Sequence, residues 1–379
     1  MLSFIIRRFL YMIPLLFIIS IFAFTIVKLQ PSDIVAQWKF NPSIGRDLLE
    51  SLIRQFDLDK DPVTQYITWL RNIFTKGDLG FSFFNKVPVE DYLFGGGALL
   101  YSMVIILATM LFTWLIAIPI GIYSATHKYS FNDHFLNFMG FLGLSIPVFL
   151  LAIVFLQVMV SILRVGSWCD IDWLRPLVTF FRPPCVEISP GVFSCEGGIL
   201  CLSKAERLAQ GYYSAPEGLA VGGLFANEYA LAPWSWAKFR NFLWHLWPVV
   251  IIVGTANIAA LIRYMRANLL DVLGQPYVQT ARAKGLSERV VIYKHAVRNA
   301  INPLVSMLGF WIPFMFEGML VASAVMNLQT VEVNYFNALS TQDQWVIMGG
   351  LLYFGVILVV GNLISDILLA VVDPKIRYD

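Results

Sequence analysis

Residues 98–125 read ALLYSMVIILATMLFTWLIAIPIGIYSA, from Ala98 to Ala125, without one Asp, Glu, Lys or Arg. A helix rises 1.5 Å per residue, so about 20 residues cross the roughly 30 Å hydrocarbon layer of a bilayer. Five further stretches are nearly free of charge: Phe9–Leu29, Phe135–Leu163, Leu243–Tyr264, Asn302–Val325 and Val346–Val372. Lipid offers no partner to backbone N–H and C=O groups, so each segment must satisfy its own as a helix. The alternating ten-residue strands of a barrel are absent. The whole chain agrees, being 58% hydrophobic and 14% charged with a mean hydropathy of +0.68. Soluble domains carry about 25% charged residues. A water-soluble chain of 379 residues could not hide this much apolar surface in one or two cores. The reading is an all-α integral membrane protein with about six transmembrane helices.

Net charge (+2) says little, but its placement orients the chain. Arg7 and Arg8 precede the first span, which keeps the N-terminus in the cytoplasm, and six spans return the C-terminus to the same side. The loop 263–302 is then cytoplasmic, with seven Lys/Arg against two acids, whereas 30–97 carries seven basic and nine acidic residues. The first apolar run is too long for the core of a signal peptide and no A-x-A site follows, so it reads as an uncleaved anchor. The expected organisation is an N-terminal transmembrane helix over 1–29, a periplasmic region over 30–97, and a five-helix domain over 98–379. That domain includes a periplasmic insertion at 164–242 and the cytoplasmic loop 263–302.

In the first outer region, Leu48, Leu49, Leu52, Ile53 and Phe56 recur at helical spacing, as do Tyr66, Ile67, Leu70, Ile73 and Phe74. They predict two short amphipathic helices, with turns at 58–62 and at Gly77-Asp78-Leu79-Gly80. The insertion holds all four cysteines, Cys169, Cys185, Cys195 and Cys201. An even count confined to one extracytoplasmic segment points to one or two disulfides, in any of three pairings, with free thiols as the alternative. A zinc site lacks its C-x2-C or neighbouring His pair.

The segment carrying most functional information is Tyr277-Val278-Gln279-Thr280-Ala281-Arg282-Ala283-Lys284-Gly285-Leu286-Ser287, followed by His295, Arg298, Asn299 and Pro303. Pro276 can open a helix. Ala281 and Ala283 allow close approach of another backbone, and Gly285 permits a left-handed break. Ser287 can cap the next helix, with Glu288 in its first turn. Leu286, Val290, Tyr293 and Val297 then form an apolar stripe beside a basic face. The prediction is a helix–break–helix built to seat in a partner's groove.

This segment resembles the EAA cytoplasmic loop of ABC importer permeases, in the form of the oligopeptide/dipeptide/nickel subfamily, Y-V-x-T-A-R-A-K-G-L-S, then H-A-x-R-N-A and a Pro. Arg7-Arg8, the stretch Leu58–Leu70, which looks like the family's L-D-x-P-x-x-x-Q-Y-x-x-W-L with its proline at 62, the G-D-L-G at 77–80, and Asn362-Leu363, Asp366 and Asp373-Pro374-Lys375-Ile376-Arg377 extend the likeness over most of the chain. It implies a coupling helix that docks on cytoplasmic ATPases, with Tyr277, Thr280, Ala281, Arg282, Ala283, Lys284, Gly285, Leu286, His295, Arg298 and Asn299 as its residues. The implied partners are a second homologous permease, two ATPase subunits and an extracytoplasmic substrate-binding protein, in a prokaryotic inner membrane. This chain holds no cofactor. It lacks a G-x-x-x-x-G-K-[ST] loop, so ATP and Mg belong to the partner ATPases. Departures cluster on the outer side: Pro31-Ser32-Asp33-Ile34 stands for P-G-D-P, Ser323 for a Glu, and residues 329–332 for P-G-x-G. These put the cargo in question. An oligopeptide is the first reading, with oligosaccharides or nickel as alternatives.

Single residues are weighed in the same way. Glu317 lies inside the fifth span, as pathway lining or as a residue close to the outer surface. Asn257 is a pathway candidate or an interhelical hydrogen-bond donor. Asp366 reads as a polar contact with a neighbouring helix. Pro119, Pro147 and Pro313 predict kinks. An ion-coupled secondary transporter would need several intramembrane carboxylates or inverted repeats, and a membrane-bound enzyme a convergent catalytic set. Neither pattern is evident.

Overall fold

The computed structural model describes residues 2–29, 50, 53–54, 59–164, 186–189, 192–194, 223–225, 229 and 232–372. The four cysteines, most of the first amphipathic stretch, residues 31–34 and residues 373–377 lie outside this set.

Five described helices are long and apolar enough to cross a membrane, and a bent helix pair makes a sixth crossing if counted as one span. The chain starts with α1 (Leu2–Lys28). Next comes α2 (Pro62–Lys76), the second amphipathic helix expected from the 66–74 spacing. Asp61 caps it by accepting from Thr64 N, Pro62 opens it, and Gly77 closes it at φ +69°. A two-residue hairpin, β1 (Phe81–Ser82) with β2 (Val87–Pro88), and the short α3 (Val89–Phe94) lead into α4 (Ala98–Thr126).

The third crossing, expected over 135–163 with a kink at Pro147, is broken there into two helices. α5 (Phe131–Ser145) stops and α6 (Val148–Arg164) restarts at 98° to it. The cause is local. Pro147 has no N–H to continue the ladder, and it pushes the preceding residue out of the helical region. Ile146 accordingly sits at ψ 118°. Pro119 and Pro313, by contrast, lie within continuous helices.

The expected span 243–264 is the middle of a longer helix, α7 (Trp236–Leu273), of 38 residues. At 1.5 Å per residue it reaches about 57 Å, well beyond the hydrocarbon layer. The loop expected from 263 therefore begins as helix. After α8 (Pro276–Ala283) come α9 (Glu288–Val290), a π-helix (Val291–Val297) and α10 (Arg298–Ala300). α11 (Asn302–Val325), α12 (Val331–Thr341) and α13 (Gln344–Val372) complete the bundle.

α7 is the central element, packed along α4 and against α5, α6 and α11, while α13 lies between α11 and α1. Three apolar cores follow the bundle axis. The middle one joins Ile105, Ile252, Val253, Met315 and Met319. The second, with Met265, Leu269, Val278, Val291, Ala296 and Leu304, roots the segment 276–300. The third, with Phe24, Trp69, Leu93, Tyr335 and Val346, seats α2, α3 and α12 at the opposite end. Arg8 Nε lies 3.2 Å from Asp366 Oδ2, the polar contact to a neighbouring helix read from Asp366. Arg8 and Asp366 share a cavity with Ser306, close after residue 300. The first and last membrane helices thus meet at the end that carries residues 276–300.

α11 crosses α13 at very close range. A Cβ at Gly309 would fall 2.6 Å from Asn362 Cα and 2.8 Å from Asn362 N. Beside it, Ser365 Oγ donates to the carbonyl of Val305 at 2.6 Å. Helices in lipid have no hydrophobic drive to associate, so small residues and such hydrogen bonds hold the crossing together.

Candidate functional site

The segment 276–300 is a mounted surface. Pro276 opens α8, and Thr280 Oγ1 donates back to the Pro276 carbonyl at 2.9 Å. Val278 and Ala281 face inward onto Met265 and Leu269, while Ala283 and Lys284 are exposed. The chain then turns at Gly285, whose φ of +77° is the left-handed conformation expected there. Ser287 stands at the start of the next helix but makes no capping hydrogen bond, contrary to expectation. Instead the break is closed by Arg282, whose Nη2 donates to Glu288 Oε1 at 2.6 Å and whose Nε donates to Oε2 at 3.2 Å. The guanidinium holds the Glu288 carboxyl below its ordinary value.

The second arm contains the π-helix, which was not foreseen. Its wider turn sets the inward residues five apart, at Val291 and Ala296, with Ala300 following. Leu286, Val290 and Tyr293 are left exposed, at 41%, 38% and 62%. Lys294, Arg298 and Asn299 are also exposed, and His295 is half-buried. Asn299 Nδ2 donates to Tyr277 Oη at 2.7 Å and ties the second arm to α8. Small residues seat this unit on the bundle, and its outer face is apolar and basic. Among the described residues no group of three His, Cys, Asp or Glu is placed to hold a metal.

Beside this unit, α5 is bolted to α7. Asp133, 1% exposed, accepts from Arg266 Nε at 2.9 Å and Nη2 at 2.8 Å. Ser124 Oγ, Asn137 Nδ2 and the Tyr129 amide also donate to it. The partners Asp133 and Arg266 are too far apart in sequence for any local signal to have paired them.

A cavity of about 400 Å³ opens between the α5–α6 break, α7 and α11. It brings together the two pathway candidates, Glu317 and Asn257. Glu317 is exposed and lies about two turns inside the end of α11 (24 residues). Asn257 donates Nδ2 to Val253 O of its own helix at 2.9 Å, and not across helices as expected. At the 62–97 end, Ser323 is buried in α11 and Glu332 is buried at the start of α12. Ser102 Oγ of α4 donates to Glu332 Oε2 at 2.7 Å, and burial pushes this carboxyl above its ordinary value.

The family profile of the binding-protein-dependent transport system inner membrane component matches residues 117–378, and that of its N-terminal part matches 1–111. The chain belongs to this family. Its relatives align from end to end. The oligopeptide transport system permease protein AppB of Bacillus subtilis is 30% identical over 381 residues, covering 100% of both chains. The dipeptide transport system permease protein DppB of Escherichia coli is 27% identical over 382 residues, covering 100% of this chain and 99% of its own. The glutathione transport system permease protein GsiC of Escherichia coli is 26% identical over 378 residues, covering 100% of both. This binding-protein-dependent permease is therefore a multi-pass, all-α subunit of an ATP-driven importer, as the resemblance implied. A member of such a system works with an ATPase and a binding protein.

Proposed function

We propose that this permease forms half of the membrane channel of a peptide importer. It pairs with a second, homologous permease. Two ATPase subunits dock on residues 276–300 and carry out all ATP hydrolysis, and a binding protein docks at the opposite end. Both termini then lie in the cytoplasm. The observation that carries this reading is the exposed apolar and basic face at Leu286, Val290, Tyr293, Lys294 and Arg298, held on a closed helix–break–helix. The names of the relatives, which transport oligopeptides, dipeptides and glutathione, support a peptide as cargo. ATP-driven closure of the ATPases would move this unit as a rigid body and turn the bundle from one access state to the other. The deciding experiment is capture of the tagged chain in mild detergent with mass spectrometry of its companions. Two ATPases, a second permease and a binding protein are expected. Recovery of the chain alone, under conditions that preserve a control importer, would reject the assembly.

Coupling has its own test at Gly285. A Cβ there meets nothing within 4 Å, so the cost of Gly285→Val is backbone strain at φ +77°. An L-residue in that conformation costs about 1–2 kcal/mol, a factor of roughly 5–30 in population. Transport is expected to fall by about that factor while ATP hydrolysis and membrane insertion persist. Undiminished coupled transport would remove this segment from the coupling role.

A further inference from the structure

The cavity at the α5–α6 break is mostly apolar, with Glu317 and Asn257 as its polar side chains. Glu317 is exposed to it, and no described residue forms an ion pair or hydrogen bond with it. An acid at this depth is tolerated facing water or a cationic partner, and is costly facing lipid. Asn257, on the facing wall, donates one amide N–H to the Val253 carbonyl and keeps its oxygen as an acceptor. Ile146 and Pro147 complete the rim, where α5 ends. No Lys, Arg or His lines the cavity. Its one charged group is the Glu317 carboxylate, and the ligand chemistry that answers it is a cation rich in donors.

We propose that Glu317 and Asn257 form a site that accepts the protonated amino terminus of a peptide as it passes through the cavity. This rests on the peptide-importer reading above and names the chemical group that the pathway recognises. An ammonium supplies three donors and one positive charge, which matches a carboxylate beside an amide oxygen. A volume of about 400 Å³ falls within the range of small-ligand pockets. The terminal amine is also common to peptides of every sequence, so one fixed carboxylate serves cargoes whose side chains differ. A metal ion fits less well, because no group of three His, Cys, Asp or Glu gathers among the described residues.

The test uses the complete importer in proteoliposomes, supplied with tri- to penta-alanine peptides or with the same peptides N-acetylated. Both sets are given at concentrations that occupy the binding protein equally, and uptake is read by mass spectrometry. Glu317→Gln is expected to slow uptake of the free-amine peptides about tenfold or more. It should leave the acetylated set unchanged, with ATP hydrolysis and co-purification of the second permease intact, and Glu317→Asp should recover part of the loss. An equal loss for both sets would overturn the amine site while leaving the pathway and importer readings in place. No change for either set would overturn it as well. Loss of the second permease from the purified complex would assign Glu317 to a subunit contact instead. If the unmodified importer moves neither set from an occupied binding protein, the peptide-importer reading fails and this proposal fails with it.

Discussion

Asp133→Ala is expected to destabilise the purified permease by about 3–5 kcal/mol, the range for removing one partner of a buried ion pair. Asp133 is 1% exposed and receives both Nε and Nη2 of Arg266, together with Ser124, Asn137 and the Tyr129 amide. Truncation leaves a guanidinium of 23% side-chain exposure without its anion at the α5–α7 contact, along with three donors that lose their acceptor. The pair as a whole contributes far less than this, because desolvation offsets most of its attraction. The double variant Asp133→Leu with Arg266→Met should therefore recover the part of the loss owed to the uncompensated guanidinium. Thermal unfolding of the assembled complex in nanodiscs provides the measurement. A loss below about 1 kcal/mol for the single variant would show that water already reaches the pair and that the bolt is weak.

Gly309→Leu is the second large effect. Its Cβ would stand 2.6 Å from Asn362 Cα and 2.8 Å from Asn362 N, where backbone cannot yield by changing a rotamer. Either α11 and α13 separate, losing the Ser365 hydrogen bonds to Val305 and Ser306, or the crossing shifts along its length. Overpacking of this kind costs about 3 kcal/mol, at the upper end of the usual range. Gly95 provides the control. Its φ of −62° is ordinary and nothing lies within 4 Å of a Cβ there, so Gly95→Ala should stay within about 0.5 kcal/mol. Reduced yield and lowered melting temperature for Gly309→Leu alone is the expected pattern, and equal behaviour of the two variants would contradict the close crossing.

Part of the candidate site was legible because its chemistry is local. Pro276 and Gly285 bound α8 for reasons that lie within one residue of each, and the basic residues of 276–300 needed only counting. The face they present was not legible. A stripe drawn at ordinary helical spacing took Leu286, Val290, Tyr293 and Val297 as one set, but the π-helix turned Val291 and Ala296 inward and left Leu286, Val290 and Tyr293 out. Tertiary packing on Met265 and Leu269 selects that wider turn, and intrinsic propensity carries no record of it. The meeting of Glu317 with Asn257 around one cavity is of the same kind, since the two lie on different helices.

By itself, the sequence determined that the chain crosses a bilayer, roughly where it does so, and where α2 and α8 begin and end. Hydrophobic length and the conformations of Pro and Gly act over a turn or two of chain, and the thickness of lipid converts them directly into helices. Only the tertiary structure decided that Asp133 pairs with Arg266, that Ser102 reaches Glu332, and that α11 and α13 meet at a glycine. Each of these depends on which helix faces which. Between helices that are uniformly apolar, that choice is made by close packing and a few buried polar contacts, and neither leaves a periodic trace in the chain.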